Sequence, residues 1–361
     1  MRKGIFSVIF VLIISSTILP IFPLFISSTI HFSEKGNETS KLQISAVTEI
    51  TTPIVIDDLP TSSTNWTWAK DQGYCTGLGT QSSPYIISEL FINTSTLTTD
   101  CLTIANSRKY FTIRDCEFKG NFNFAGIQLD NTTNGVITEN FMYYLTGALV
   151  WLYNASYNVV RNNNASGGSF YGVLIDSTGG RANLNVVSDN LVTHNADAGI
   201  EIRAGGLNTI SNNYIFNNTI GVKIGAFSYN STIRGNRIGN SYSIGLFIDT
   251  MSQYHEIYEN CFFTNNLHAD DNSLNNSWDN GVRGNYWDNY TGIDANSDGI
   301  GDVPYNITGV GGSQDNFPLM SCPVPPSTPG IPGYDILLVL FAGLASTIGI
   351  IYISYKRKIK N

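Results

Sequence analysis

Val186-Val187-Ser188-Asp189-Asn190 recurs 23 residues on as Thr209-Ile210-Ser211-Asn212-Asn213, and 23 further as Thr232-Ile233-Arg234-Gly235-Asn236. The same form, a short apolar-and-polar strand closed by asparagine, stands upstream as Val136-Ile137-Thr138-Glu139-Asn140 and Val159-Val160-Arg161-Asn162-Asn163. Downstream it continues as Glu256-Ile257-Tyr258-Glu259-Asn260 and Val282-Arg283-Gly284-Asn285. The closing asparagines are 23, 27, 23, 23, 24 and 25 residues apart. An earlier copy, Thr112-Ile113-Arg114-Asp115-Cys116, puts cysteine in the asparagine place, 24 residues before Asn140.

Most repeats hold a second strand that opens with glycine: Gly126-Ile127-Gln128-Leu129-Asp130, Gly172-Val173-Leu174-Ile175-Asp176, Gly199-Ile200-Glu201-Ile202-Arg203, Gly221-Val222-Lys223-Ile224-Gly225 and Gly245-Leu246-Phe247-Ile248-Asp249. Both strands alternate apolar and polar residues, so one face packs inward. No repeat has the 3.6-residue period that a helical solenoid needs, and a β-sandwich gives no reason for a fixed period. Short strands and a period near 24 predict an all-β chain wound as a parallel β-helix, one turn per repeat. Parallel crossovers are right-handed. About eight coils at ~4.8 Å each make a rod on the order of 40 Å long. Asparagine suits the corners because it tolerates the left-handed conformation and because amides stacked at the strand spacing bond from coil to coil.

The chain has 361 residues, 28 acidic and 20 basic, with a net charge of −8. Six basic residues (Arg2, Lys3, Lys356, Arg357, Lys358, Lys360) lie at the two ends, leaving 14 between them against all 28 acidic ones. Such a chain has nothing with which to displace counterions from a polyanion, which excludes nucleic-acid binding. Its 39 asparagines and 34 glycines suit a protein made of corners. Arg2 and Lys3 precede the uncharged run Gly4 to Ile30, the layout of a signal peptide or, given its length, a signal anchor. Ile336 to Ser354 is uncharged for 19 residues, roughly 28 Å as a helix and enough to cross a bilayer. The basic tail after it belongs on the cytoplasmic side, which leaves the middle of the chain at the cell surface. Eleven Asn-x-Ser/Thr sequons, from Asn37 to Asn306, accord with an exported glycoprotein.

The expected organisation is a signal segment over 1–35, a linker and N-terminal cap over 36–100, and β-helix repeats over 101–285. A C-terminal cap follows over 286–322, then a proline-rich stalk over 323–335, a transmembrane helix over 336–354 and a basic tail over 355–361.

Gly284-Asn285-Tyr286-Trp287-Asp288-Asn289-Tyr290-Thr291-Gly292, with Asp294 to Asp302 and Val303-Pro304-Tyr305, resembles the closing segment of right-handed parallel β-helix repeat proteins related to the periplasmic protein NosD. Gly77-Leu78-Gly79-Thr80 and Pro84-Tyr85-Ile86-Ile87 are similar to their opening. The resemblance spans about Tyr85 to Met320. It implies the fold and no single activity, because that fold hosts lyases, hydrolases, adhesins and carriers. Ile331-Pro332-Gly333-Tyr334-Asp335 and the apolar run after it resemble the sorting tails of archaeal surface proteins.

Asp294, Asn296, Asp298 and Asp302 place oxygens at relative positions 1, 3, 5 and 9 of a loop, with Gly299 at the sharp turn and the Ile300 carbonyl at position 7. These are the first nine positions of an EF-hand type calcium loop, so a structural Ca²⁺ is expected there. Position 12 is Tyr305 and no helix flanks it, which excludes a sensor EF-hand. The NosD resemblance raises copper, but His31, His194, His255 and His268 are isolated and no soft cluster of Met or Cys exists, so no copper is expected. Five cysteines in an exported chain suggest two bridges and one thiol. Cys75–Cys101 and Cys261–Cys322 are the pairing expected, with Cys116 free and facing inward, although sequence leaves the connectivity open.

The last positions of the second strands read Asp130, Trp151, Asp176, Arg203, Gly225 and Asp249, one outward column. Asp130 and Asp176 would lie two coils apart, roughly 9.6 Å, near the upper limit for an inverting carboxylate pair. Trp151 between them could stack on a sugar, and Arg203 could hold an acidic one. Exposed Asp and Arg at strand ends also serve plain solvation. The preferred expectation is therefore a non-catalytic, membrane-anchored scaffold that binds polysaccharide or surface-layer components. A surface-tethered polysaccharide lyase or glycoside hydrolase is the alternative, and a metal-delivery accessory stands last.

Overall fold

The computed structural model describes residues 49–323 apart from 121–123, 144, 146, 180 and 181. The expected signal segment, residues 36–48 of the linker, the stalk beyond Pro323, the transmembrane run and the basic tail lie outside the described residues. No helix among the described residues is long and apolar enough to cross a membrane.

The chain winds through three parallel sheets. Sheet I has ten strands, sheet II nine and sheet III eight, and no two neighbours in any of them are consecutive in the chain. One coil visits sheet III, then I, then II, as in Thr209–Ser211, Tyr214–Phe216 and Ile220–Ile224. Sheet III has eight strands, so there are eight complete coils, as the repeat predicts. The coil starts earlier than the repeat spacing places it. Glu49–Ile50 and Ile54–Asp57 already pair in parallel with Phe91–Asn93 and Leu102–Ala105, so residues expected as linker and cap contribute rungs. The period is hidden there because helix α1 (Trp66–Asp71) is inserted between the first two rungs. Asn65 caps α1 by accepting from the Thr67 and Trp68 N–H groups, and Trp66 stacks on Tyr85 with ring centroids 4.4 Å apart.

Alternation decides what faces inward. Ile200 and Ile202, Val222 and Ile224, then Leu246 and Ile248 are fully buried on sheet II, above one another in register. Val187, Ile210, Ile233 and Ile257 form the matching column on sheet III. Each coil thus buries its apolar residues on those of the next, and the core is continuous along the rod.

The corners separate two tasks that the sequence reading assigned to one residue. The left-handed position is the residue before the closing asparagine: Glu139, Asn162, Asp189, Asn212, Gly235 and Glu259 all have φ between 54° and 65°. The closing asparagine itself is buried and forms the ladder. The Asn140 side-chain amide donates to Asn163 Oδ1, and the contact repeats through Asn190, Asn213, Asn236, Asn260 and Asn285 at 2.9–3.0 Å. The same Oδ1 atoms accept the backbone N–H of the preceding rung, as from Asn190 to Asn213 at 3.0 Å.

Two further ladders line the other corners. Asn158, Asn185 and Asn208 form one, which continues through Ser231, His255 and Asn276. Asn195 and Asn218 begin the third, and Ser241 and Asn265 extend it. The signal was in the sequence: Asn185, Asn190 and Asn195, then Asn208, Asn213 and Asn218, are spaced by five residues.

Both ends of the first ladder are closed by substitutes. At the start, the Cys116 thiol donates toward the Arg114 and Ile87 carbonyls, as Asn140 does toward Thr138 and Ile113. At the finish, Asp315 accepts from the Asn285 N–H at 2.7 Å, from Trp287 Nε1 and from the Phe317 N–H. An acceptor-only carboxylate fits this last rung, because there is no following amide to receive a proton. Phe262, Trp287 and Tyr305 then stack over the axial end at 4.4 and 4.3 Å, a C-terminal cap.

Candidate functional site on sheet II

The outward face of sheet II carries the candidate column, with one change of membership. Tyr153, not Trp151, lies in register between Asp130 and Asp176. Trp151 sits two residues earlier, between Gln128 and Leu174, with its ring edge-on to Tyr153 at 5.6 Å. Trp151 is misplaced in the sequence column because register follows the inward pair. Val150 and Leu152 lie over Ile127 and Leu129, so the equivalent of Gly126 is Leu149. Asp130 and Asp176 are two rungs apart as expected, and Arg203 follows Asp176 directly.

The charges around Arg203 neutralise one another. Its guanidinium binds Glu201 through two nitrogens at 3.1 Å, lies 3.6 Å from Asp176, donates to the Tyr171 hydroxyl at 2.9 Å and sits over the Tyr171 ring. Lys223 approaches Glu201 from the next rung at 3.4 Å. Two carboxylates therefore meet two cations. Burial first, then the Glu201 charge, raises the Tyr171 phenol, against a smaller lowering by Arg203. Asp130 lies apart from these cations, and burial, with Asp57 behind it, raises its carboxyl. Glu201, Lys223 and Tyr171 were not singled out in the sequence. The available signal was opposite charge at one position of consecutive repeats.

The Asp294–Asp302 loop closes on itself. Asp294 accepts from the Asp298 and Gly299 N–H groups, Asp298 from Ile300, and Asp302 from Ala295. Its oxygens are hard donors of the calcium type. As folded they are turned onto backbone N–H groups, and no three His, Cys, Asp or Glu side chains gather for a metal among the described residues.

Cys261 and Cys322 are bridged, tying the last full coil to the segment after the cap. The expected Cys75–Cys101 bridge is not formed: both thiols are free and buried. They belong to different walls, since Thr76 bridges to Ile86 on sheet III while Cys101 directly precedes the sheet II strand Leu102–Ala105 and donates to the Lys119 carbonyl. Cys116 is free and buried as expected, and burial pushes it up to about 12.

An exposed apolar ridge was also missed. Tyr157, Leu184 and Leu207 occupy one corner position in consecutive coils, left-handed and exposed by 59, 40 and 46%. Bulky residues are disfavoured in that conformation, and exposed apolar runs mark interaction surfaces.

Three continuous sheets on a period near 24 define a parallel β-helix repeat protein. A family model for the right-handed β-helix region matches residues 80–224, and one for the periplasmic copper-binding protein NosD matches residues 183–292. The chain is a right-handed parallel β-helix repeat protein, and its residues 183–292 are similar to NosD. No curated protein matches it.

Among solved structures it is similar to the A-module of mannuronan C-5 epimerase AlgE6 from Azotobacter vinelandii, at 14% identity and TM-score 0.39 over 53% of this chain and 63% of that one. ORF18 of Geobacillus virus E2 is similar at 11% identity and TM-score 0.44 over 62% and 56%. The Dettilon tailspike protein is similar at 15% and 0.40 over 54% and 51%. The chain spans less than two thirds of each, and likeness at this level says nothing of activity.

Among the described residues the histidines and thiols do not gather into a donor set for the copper of the NosD description. His255 Nδ1 accepts from the Ser231 N–H within a ladder, and His268 Nε2 is held by Asp288 at 2.8 Å. His194 is bonded through both ring nitrogens, to Thr193 and Asn217. The three free cysteines are each buried.

Proposed function

We propose that the protein is a non-catalytic scaffold at the cell surface, anchored by residues 336–354, whose β-helix binds glycans or neighbouring envelope components. The observation that carries this reading is the closed charge balance of Asp176, Glu201, Arg203 and Lys223, which among the described residues leaves no free cation beside a free base on the candidate face. The exposed ridge supports it. The Asp294–Asp302 loop is proposed as a weak structural calcium site that stiffens the C-terminal cap.

One observation favours a second reading, a polysaccharide lyase or glycoside hydrolase. Asp130 has a raised carboxyl while Asp176, two rungs away, is paired with Arg203, and unlike environments are what an acid and its partner need. The purified full chain, presented with a panel of neutral and acidic polysaccharides, tests both. Retention without new reducing or unsaturated ends is expected. Turnover that disappears in Asp130→Asn would replace the scaffold with the enzyme.

A further inference from the structure

Sheet I faces outward with a different chemistry. Tyr214, Arg237 and Cys261 are in register in one column, and Phe216, Gly239 and Phe263 in the next. Gly239 leaves a gap that the Phe263 ring fills, so the rings of Phe216 and Phe263 meet across it at 5.1 Å. A Cβ on Gly239 would lie 2.3 Å from that ring. The Tyr214 ring is 6.0 Å from Phe216 and inclined by 29° to it. These rings form an aromatic floor over three consecutive coils.

Arg237 lies in this floor, its guanidinium carbon 5.7 Å from both the Tyr214 and the Phe263 ring centres. It forms no ion pair and no side-chain hydrogen bond among the described residues, and its Nε is buried without a partner. Other arginines differ. Arg203 and Arg283 have carboxylates, and Arg161 and Arg234 are exposed to water. A half-buried guanidinium with no counter-ion favours an anion, and flat carboxylates suit its fork of donors. Aromatic faces 5.1–6.0 Å apart suit the C–H face of a pyranose ring, and these three strands, each paired on both sides, offer no free backbone edge for a peptide strand to join.

We propose that Tyr214, Phe216, Arg237 and Phe263 form a subsite for a uronic-acid residue of an acidic polysaccharide. The sugar ring lies on the aromatic floor and its carboxylate pairs with Arg237. This rests on the scaffold reading above and adds its ligand class.

The test measures binding of the full chain to polygalacturonate oligomers and to their methyl esters. Wild-type protein should prefer the acid by about tenfold or more, the worth of one charge-assisted contact. Arg237→Gln should abolish that preference, Arg237→Lys should keep part of it, and Gly239→Ala should weaken binding by displacing Phe263. Unchanged melting confirms that these outward variants fold. Unaltered preference in Arg237→Gln, or binding of neutral glycans only, overturns the subsite and leaves the scaffold reading standing. Equal displacement by polyglutamate overturns the ligand class. No binding to any saccharide sinks the subsite and leaves the scaffold reading only its envelope-component partner.

Discussion

Replacing Asn213 with alanine should be among the most damaging single changes in the coil, whereas its neighbour Asn212 should accept glycine. Asn213 is fully buried, and its Oδ1 receives both the backbone and side-chain N–H of Asn190 at 3.0 Å. Its Nδ2 donates to the Val187 carbonyl, the Ser211 carbonyl and Asn236. In Asn213→Ala the buried Asn190 N–H loses its acceptor and two carbonyls each lose a donor. A buried N–H without a partner costs ~1–3 kcal/mol, and the carbonyls bring the loss to about 3 kcal/mol. Asn212 has φ 57°, which glycine adopts freely, so Asn212→Gly should stay within about 1 kcal/mol. A solenoid opens locally as well as globally, so urea denaturation should be paired with amide exchange at Asn190. Loss of protection at Asn190 in Asn213→Ala, with little change in Asn212→Gly, is expected. Equal midpoints for the two variants, or an Asn190 amide as protected as in wild type, would refute the ladder as a source of stability.

Two buried groups should oppose each other in mild acid. Burial raises Asp315 from 3.8 to about 6, so the folded state holds that proton more tightly and its contribution to stability falls as pH rises from about 4 to 6. Burial lowers His255 from 6.5 to about 4, so its contribution rises over nearly the same window. Asp315→Asn should therefore expose a stability that climbs with pH, and His255→Asn one that falls, each by about 3 kcal/mol in melts across that range; parallel profiles would contradict both shifts. Calcium at 10 mM, against a Kd of about 1 mM, should add about 1.4 kcal/mol, lost in Asp294→Ala. No calcium-dependent rise in melting temperature would remove that site. Glu201→Ala leaves Arg203 with Asp176 as its only carboxylate and takes the carboxylate from Lys223, and should cost about 1–3 kcal/mol, while truncating the more exposed Lys223 should cost about 1 or less. A thiol titration of the unreduced chain should find none of Cys75, Cys101 and Cys116 reactive while folded and all three after unfolding. Fewer than three after unfolding would restore a second bridge.

The coil was legible because its causes are local. Period-two alternation in Thr209–Ser211 or Ile220–Ile224 depends on a few consecutive side chains, and the asparagine after each sheet III strand recurs with it. The same locality made the Asp130 to Asp176 spacing readable, two rungs at the strand separation. What failed was whatever needed the exact stacking of one coil on another. Trp151 was misplaced because corner lengths vary and a glycine marks no fixed rung, whereas the inward pair Val150 and Leu152 does.

By itself the sequence determined an acidic, asparagine-rich parallel β-helix with its apolar columns, its ladder and one free cysteine in that ladder. Tertiary structure alone decided that Asp315 would end the ladder, that Cys75 and Cys101 would stand on different walls, and that Glu201 would neutralise both Arg203 and Lys223. It also set Arg237 between two rings of neighbouring coils. The physical reason is distance along the chain. A strand and its corner are written within five residues, but a partner one rung away is more than twenty residues distant, and only the register of the wound coil brings the two together.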